Sequence, residues 1–444
     1  MNMNFNFKRI SSLFFFAVTG CSAIFAQQSS LSPNANLDDL IQYAMRNKIE
    51  LQQAQIDREI GEREIASALS GWFPQIQATG SLSRSLQLPT TNINGQNITM
   101  GQRNNSGLTL QADQALISPE LFQASKAADF IRQQNNLSLE DVKINTVVGV
   151  SKAYYDILTS EEQIKIILEN ITRLERQHAE ASARYDVGLV DKTDHKRAQI
   201  SLNNARAELK SAQELRQYKY DYLKMLLAIP TNETLSLSFA DQNMEASILL
   251  DTTELLLIAN RVEFRQLENL KEIQKLNTQY QKWNFLPRVG AYANYSLNYR
   301  NDSFADLYKD NLPSSTVGLS LSLPIFQGTK RLQEIRKSEL QEERLELDLK
   351  NLENQISTEY ASAMALYRAN MSDWRNAKEN IVLSEEVYNT IKLQYDAGVK
   401  TYLELMTAET DLNTAQINYL NSLYAVLSSK LDIQKALGVV SLEN

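Results

Sequence analysis

The sequence predicts an α+β chain, mostly α, in which long helical hairpins and short strand hairpins occur as two structural repeats of one plan. Three observations predict it: a hairpin-tip motif appears twice, Gly and Pro are scarce, and the hydrophobic period switches from helical to alternating at matching places. The first tip reads Arg184-Tyr185-Asp186-Val187-Gly188-Leu189-Val190-Asp191-Lys192-Thr193-Asp194 and runs on to Ala198, Leu202 and Ala205. Its counterpart, 210 residues later, reads Gln394-Tyr395-Asp396-Ala397-Gly398-Val399-Lys400-Thr401-Tyr402-Leu403-Glu404 and runs on to Ala408, Leu412 and Ala415. In each copy a Tyr stands just before the tip Gly, and a lone Gly between helical segments supplies the positive φ of a tight reversal. With 14 Gly and 8 Pro among 444 residues, very long helices are possible.

In the first half, Leu37, Leu40, Ile41 and Ala44 open a helical pattern that continues to Ala68 and stops at Ser70-Gly71 before Pro74. From Gln75 to Leu88 the period becomes two, with Ile76, Ala78, Gly80, Leu82, Leu86 and Leu88 on one parity and Gln, Thr and Ser on the other. Pro89 to Asn105 reads as an exposed polar loop, after which Leu108, Leu110 and Ala112 resume the alternation, giving a hairpin. Ser118-Pro119-Glu120 is a helix start with its N-cap and first-turn Pro. No Pro and only Gly149 interrupt the pattern before Gly188, so this helix spans roughly 100 Å at ~1.5 Å per residue. Such a rod must pack laterally, and Val147, Val150, Tyr154 and Ile157, then Ile164, Ile167, Ile171 and Leu174, supply coiled-coil stripes. A return helix runs from about Asp191 to Leu227.

The second half repeats this order. Asp251-Thr252-Thr253-Glu254 reads as a capping cluster opening a helix to about Trp283, and Phe285-Leu286-Pro287 matches Trp72-Phe73-Pro74. Val289, Ala291, Ala293, Tyr295, Leu297 and Tyr299 alternate with mostly polar residues, Asn301 to Ser315 reads as a second loop, and Val317, Leu319, Leu321 and Leu323 alternate again. A second long helix reaches Ala397, and a return helix from Thr401 ends at Leu437-Gly438. The organisation is thus an export segment 1–26, a first repeat 27–230 with its tip at 187–190, a linker 231–250, and a second repeat 251–444 with its tip at 397–400.

Composition narrows the function. Lys8-Arg9 followed by the apolar run from Ile10 to Val18 has the layout of a secretory signal peptide. Two processing routes stay open: cleavage after Ala26, or lipidation at Cys21 within Val18-Thr19-Gly20-Cys21. Loss of residues 1–26 removes two cations and no acid, taking the net charge from −8 to −10. That balance disfavours nucleic acid. Cys21 is the only cysteine, so no intrachain disulfide forms, and His178 and His195 are the only histidines, which leaves no metal site and no cofactor motif expected. No phosphate loop, zincin motif or nucleophile elbow is present, and acidic pairs such as Glu161-Glu162 read as solvated rod surface. An enzyme is not expected.

The strands carry the sharpest physical constraint. A tilted strand of ~9–11 residues crosses a bilayer, and a sheet in lipid must close on itself. Four strands per chain cannot close, whereas membrane barrels begin at about 8 strands, so copies must be pooled; three would give about 12. The polar parity would then face a wet lumen, with Val289, Tyr295, Leu297 and Tyr299 toward lipid. The alternative is a pair of soluble hairpins on a non-transporting periplasmic coiled-coil scaffold.

Arg184-Tyr185-Asp186-Val187-Gly188-Leu189 with Thr193-Asp194, the Ala198, Leu202, Ala205 pattern, and the ending Leu431-Asp432-Ile433-Gln434-Lys435-Ala436-Leu437-Gly438 resemble the TolC-type outer-membrane efflux proteins over nearly the whole mature chain. The resemblance implies a homotrimer sharing a transmembrane β-barrel of about 12 strands in the outer membrane of a Gram-negative bacterium. It also implies a coiled-coil helical barrel in the periplasm, and a passive porin-like exit channel for small-molecule efflux. The expected partners are a periplasmic adaptor (membrane fusion) protein, an inner-membrane transporter and outer-membrane lipid; the exit duct of a type I protein secretion system uses the same architecture. Val187-Gly188-Leu189 reproduces the family's adaptor-docking tip, and Ala397-Gly398-Val399 approximates it. By the same resemblance, Asp194 links to Tyr395, and Lys400, an Arg in the family, reaches a neighbouring protomer near Thr193 and Asp194, together holding the periplasmic gate closed. Lys in place of Arg loses a bidentate fork. Glu404 matches the first of two acidic rings at the mouth and Thr407 stands where the second would be, so the doubled ring is absent. Glu404 reads equally well as a solvated helix carboxylate.

Overall fold

The computed structural model describes residues 34–93, 95–188, 191–238, 244–250 and 254–442. The export segment with Cys21, the tip residues Leu189 and Val190, linker residues 239–243 and Asp251-Thr252-Thr253 lie outside the described residues. Along the first half come α1 (Leu37–Asn47), α2 (Ile49–Leu69), β1 (Gln75–Arg84), β2 (Thr90–Ile93), β3 (Gln96–Thr99), β4 (Asn104–Ile117), α3 (Pro119–Asp186) and α4 (Lys192–Leu227). The second half contributes α5 (Val262–Trp283), β5 (Arg288–Asn301), β6 (Asn311–Ser322), α6 (Lys330–Asp396) and α7 (Tyr402–Leu437).

Helix α3 has 68 residues and α6 has 67, so each is a rod of about 100 Å. Their return partners α4 and α7 have 36 residues each. Each rod is therefore nearly twice as long as the helix that folds back on it. The half nearer the tip packs on the return helix, while the other half packs on α2 and α5. Where the two regimes meet, a belt of buried residues joins Leu40 and Ala44 of α1, Val150, Tyr154 and Ile157 of α3, Leu223 and Leu227 of α4, Met364 and Tyr367 of α6, and Leu427 and Ile433 of α7. Matching tyrosines fasten the linker to this belt. Tyr154 Oη donates to the Ser238 carbonyl and Tyr367 Oη to the Ile248 carbonyl, each at 2.9 Å. Burial pushes the Tyr154 phenol up to about 12, so it stays a neutral donor.

The strands form one antiparallel sheet in the order β1-β4-β5-β6. Its register decides the chemistry of both faces, because directly paired residues share a face. Ala78, Leu110, Tyr295 and Ser315 fall in one row, Ile76, Ala112, Ala293 and Val317 in another, and Val289 opposes Leu321. The intervening rows are Gln77, Gln111, Asn294, Thr316 and Thr79, Thr109, Ser296, Ser314. One face is thus mainly apolar and the other mainly polar, with Ser315 and Asn311 of β6 interrupting the apolar side and Leu312 the polar one. The apolar face is bare, with Ile76 76% and Val317 82% exposed. Tyr292 lies on the polar side against Gly318, where a Cβ would come within 2.7 Å of its hydroxyl, so a larger residue there would displace the ring.

Several expected boundaries are corrected. The helix read as continuous from Leu37 to Ala68 breaks at Lys48, whose ψ of 127° is extended. The Lys48 ammonium is held by Glu50 at 2.7 Å and Thr146 at 3.3 Å, and the bend lets α1 enter the belt while α2 follows α3. Helix α5 begins at Val262 rather than at the 251–254 cluster, because Arg261 is anchored to Glu263, Glu359 and the Ala436 carbonyl, each at 3.0–3.2 Å. The polar loop 89–105 contains the β2–β3 hairpin, turned at Gly95 with φ +82°. Strands β4 and β6 start earlier than their apolar alternation does, at Asn104 and Asn311, since β5 offers backbone partners as far as Asn301 and Tyr299. Strand β1, conversely, ends at Arg84, short of Leu88. Glu161 is not solvated rod surface: its side chain is 20% exposed and meets Arg216 of α4 at 3.2 Å.

Candidate functional site

Both tips are closed by one backbone device. The Gly188 N–H donates to the Tyr185 carbonyl and the Gly398 N–H to the Tyr395 carbonyl, each at 2.9 Å, with φ of +78° and +76°. No atom would touch a Cβ at either glycine, so the backbone angle alone demands Gly there. The residues beside them project freely, with Val187 69% and Val399 73% exposed, and Ala397 is exposed too.

Beyond the turns the two tips differ. Asp191 caps α4 weakly, accepting from the Thr193 N–H at 3.4 Å. Tyr185 stacks on His195 across the hairpin with centroids 5.6 Å apart, and His195 faces His178 at 5.2 Å. At the second tip Thr401 and Glu404 form a capping box at the start of α7: the Glu404 carboxylate accepts from the Thr401 N–H at 2.9 Å and the Thr401 hydroxyl accepts from the Glu404 N–H at 3.3 Å. Lys400 Nζ sits 2.6 Å from Glu404 Oε1. These donors, Lys400 first, hold the Glu404 carboxyl down at about 2.

The remaining expected gate residues are placed as follows. Asp194 pairs with Arg197 of its own helix at 3.9 Å. It reaches Tyr395 through charge: burial raises the Tyr395 phenol, Arg184 opposes that rise, and Asp194 adds to it. Tyr395 itself lies under the Arg184 guanidinium at 5.4 Å and meets Tyr402 edge-on at 6.1 Å. Thr193 is exposed beside the cap, and Thr407, also exposed, turns its hydroxyl back to the Leu403 carbonyl at 2.9 Å. Within one chain Lys400 serves the capping box rather than Thr193 or Asp194.

Sequence reasoning missed a buried group about two turns along α7 from the second tip. Glu409 of α7 is 3% exposed and accepts from Arg173 Nε at 3.1 Å and Gln177 Nε2 at 2.7 Å, both on α3. Burial raises the Glu409 carboxyl, and Gln177 and Arg173 restrain the rise. A signal was present: Glu409 stands four residues after Leu405 and three before Leu412, on the buried stripe of its helix, where a charge requires a partner.

A profile of the family described as outer membrane efflux protein matches residues 40–228 and 257–439. Each matched stretch carries a strand pair of the main sheet and one helical hairpin. The chain is 23% identical over 436 residues to the outer membrane protein TolC of Escherichia coli (strain K12), covering 93% of this chain and 84% of that protein. Among solved structures CusC superposes with a TM-score of 0.76 at 17% identity, covering 90% of this chain and 91% of that one. The outer membrane protein VceC of Vibrio cholerae superposes with a TM-score of 0.74 at 16% identity, covering 90% and 96%. Those two likenesses concern the fold.

Proposed function

Because the chain belongs to the outer membrane efflux protein family it is an outer-membrane exit duct for efflux and not an enzyme, and we propose that three copies pool their sheets into one barrel of about 12 strands. The observation that carries this is the register of the sheet, which gives it a mainly apolar face and a mainly polar face and leaves β1 and β6 as edges. Unpaired edges are not tolerated in lipid, and a polar face needs water. Joining β6 of one copy to β1 of the next answers both requirements. The rods then continue the pore into the periplasm as a helical barrel. Residues 27–230 and 251–444, joined by 231–250, act as its two repeats.

At the mouth, the projecting Val187, Gly188, Ala397, Gly398 and Val399, with Leu189 next to them in sequence, dock the helical tip of a periplasmic adaptor, which connects the duct to an inner-membrane transporter. Small apolar knobs on a rigid turn suit helix-to-helix meshing. Thr193, Asp194, Tyr395, Lys400, Glu404 and Thr407 line the gate, and three Glu404 carboxylates, ionised down to about pH 2, favour cations there. Membrane fractionation and planar-bilayer recording test the duct. Outer-membrane partition with discrete ion currents is expected; a protein soluble without detergent that never passes current would overturn it and leave a periplasmic scaffold.

A further inference from the structure

The two histidines of the chain stand 17 residues apart in sequence, on either side of the first tip, and spacing alone gives no reason to expect a metal site there. Folding α4 back on α3 brings them together, with ring centroids 5.2 Å apart and planes tilted by 33°. His178 Nε2 and His195 Nδ1 are both shut off from solvent, and neither has a hydrogen-bond partner. Tyr185 stacks on the His195 ring with 13° between the planes, which fixes the orientation of that ring. Buried ring nitrogens normally find partners, so two orphans on facing rings call for a shared one.

The second hairpin shows what the fold itself requires at this level. The offset of 210 residues that aligns the tip glycines carries His178 onto Tyr388 and His195 onto Leu405. Tyr388 and Leu405 are 7% and 2% exposed and belong to one apolar cluster with Leu412. An apolar contact is therefore enough to hold the stem of such a hairpin. In the first hairpin a pair of imidazoles replaces that contact and leaves its nitrogens unmatched, which packing does not account for.

Imidazole suits zinc, nickel and copper, whereas calcium and magnesium prefer oxygen. Two imidazoles that share one tetrahedral ion, each with a nitrogen ~2.0–2.1 Å from it, have centroids roughly 5 Å apart. The pair already stands at that separation. Among the described residues no third His, Cys, Asp or Glu completes a larger set. The other positions on the ion then fall to water, as in an open site rather than a closed structural one.

We propose that His178 and His195 together bind one divalent transition-metal ion per chain, of the Zn²⁺ or Ni²⁺ class, and that the ion ties α4 to α3 at the stem of the first hairpin. An ion held only by the folded hairpin stabilises it by mass action. The site has no part in conduction and stands whether or not the duct reading does.

Isothermal titration of the purified, untagged full chain in detergent with zinc chloride or nickel chloride tests it, with excess magnesium chloride present to occupy exposed carboxylates. Saturation at one ion per chain is expected, with amide exchange slowed on both sides of the tip, in residues 178–185 and 192–198. His178→Ala and His195→Ala should each weaken binding roughly tenfold or more. The paired replacement of His178→Tyr with His195→Leu installs the contact of the second hairpin and should give a folded chain that takes up no ion. That chain keeps the proposal falsifiable if a single variant fails to fold. Native protein that binds neither ion overturns the proposal. Uptake that survives the paired replacement also overturns it, since the ion would then sit on carboxylates, and so does loss in only one of the two single variants, since the ion would then not be shared.

Discussion

The two hairpin tips share one backbone and differ in almost everything attached to it. Both reverse through a glycine at φ near +77° that donates to a tyrosine carbonyl, and both are followed by a return helix of 36 residues. At the first tip the side chains are an aromatic stack of Tyr185, His195 and His178 with a weak Asp191 cap. At the second they are a complete capping box with its own ion pair, Lys400 to Glu404. The turn geometry is what a long αα-hairpin requires, so duplication preserves it. The side chains make contacts that the turn itself does not require, and there the halves have diverged.

That contrast is most exposed to a matched pair of substitutions. Gly188→Glu and Gly398→Glu carry the same backbone penalty of about 1–2 kcal/mol, since both glycines have positive φ and open space around them. Gly188→Glu should abolish dye efflux while leaving assembly intact, with Gly398→Glu clearly milder, because Val187-Gly188-Leu189 is the closer match to an adaptor knob. Equal losses at both tips, measured alongside crosslinked oligomer, would erase the functional distinction. A smaller effect separates the caps. Thr401→Ala should cost about 1 kcal/mol of protection in the first turn of α7, and Asp191→Ala less in α4, as read by amide hydrogen exchange.

Acid should act on two carboxyls of α7 in opposite senses. Glu404 is held down at about 2, so its contribution to the second tip is complete above the ordinary carboxylate range and is lost only as pH falls toward about 2. Glu409 is raised by burial, with Arg173 and Gln177 of α3, Lys392 and Tyr388 of α6, Tyr402 of its own helix and Glu208 of α4 around it. A carboxyl raised on docking takes up protons as it docks, so α7 should hold to α3 more firmly as pH falls from above that raised value to about 4.5. Exchange at residues 405–412, corrected for intrinsic rates, should slow through that window; faster exchange would show the sign to be wrong. The smallest change in first-turn exchange of α7 is expected from Lys400→Arg, because the charge is kept and the Glu404 carboxylate it pairs with is half-exposed.

Much of this was legible because the signals are local. Ser118-Pro119 announced α3, the tip glycines announced both reversals, and the alternation from Val289 to Tyr299 announced β5. What escaped depends on residues far apart in sequence. No breaker marks Lys48; the bend there follows from α1 joining a belt built from α3, α4, α6 and α7. The start of α5 is set by Arg261 reaching Glu359 and Ala436, which no capping motif encodes. Arg173 and Glu409 are separated by 236 residues, so only the misplaced charge on a buried stripe hinted at a partner. The roles of Asp194 and Lys400 came through resemblance, and within the single chain each has a nearer ionic partner, Arg197 and Glu404.

Everything assigned at the mouth depends on several copies sharing one pore, so the direct measurement is at the edges of the sheet. Cys21 is the only native cysteine, which makes engineered pairs easy to interpret. Thr79→Cys on β1, combined in turn with a cysteine at each position from Leu312 to Ser320 on β6, should yield covalent trimers at one or two registers under mild oxidation in membranes. Chains that remain monomeric at every register, or close only within themselves, would contradict the account.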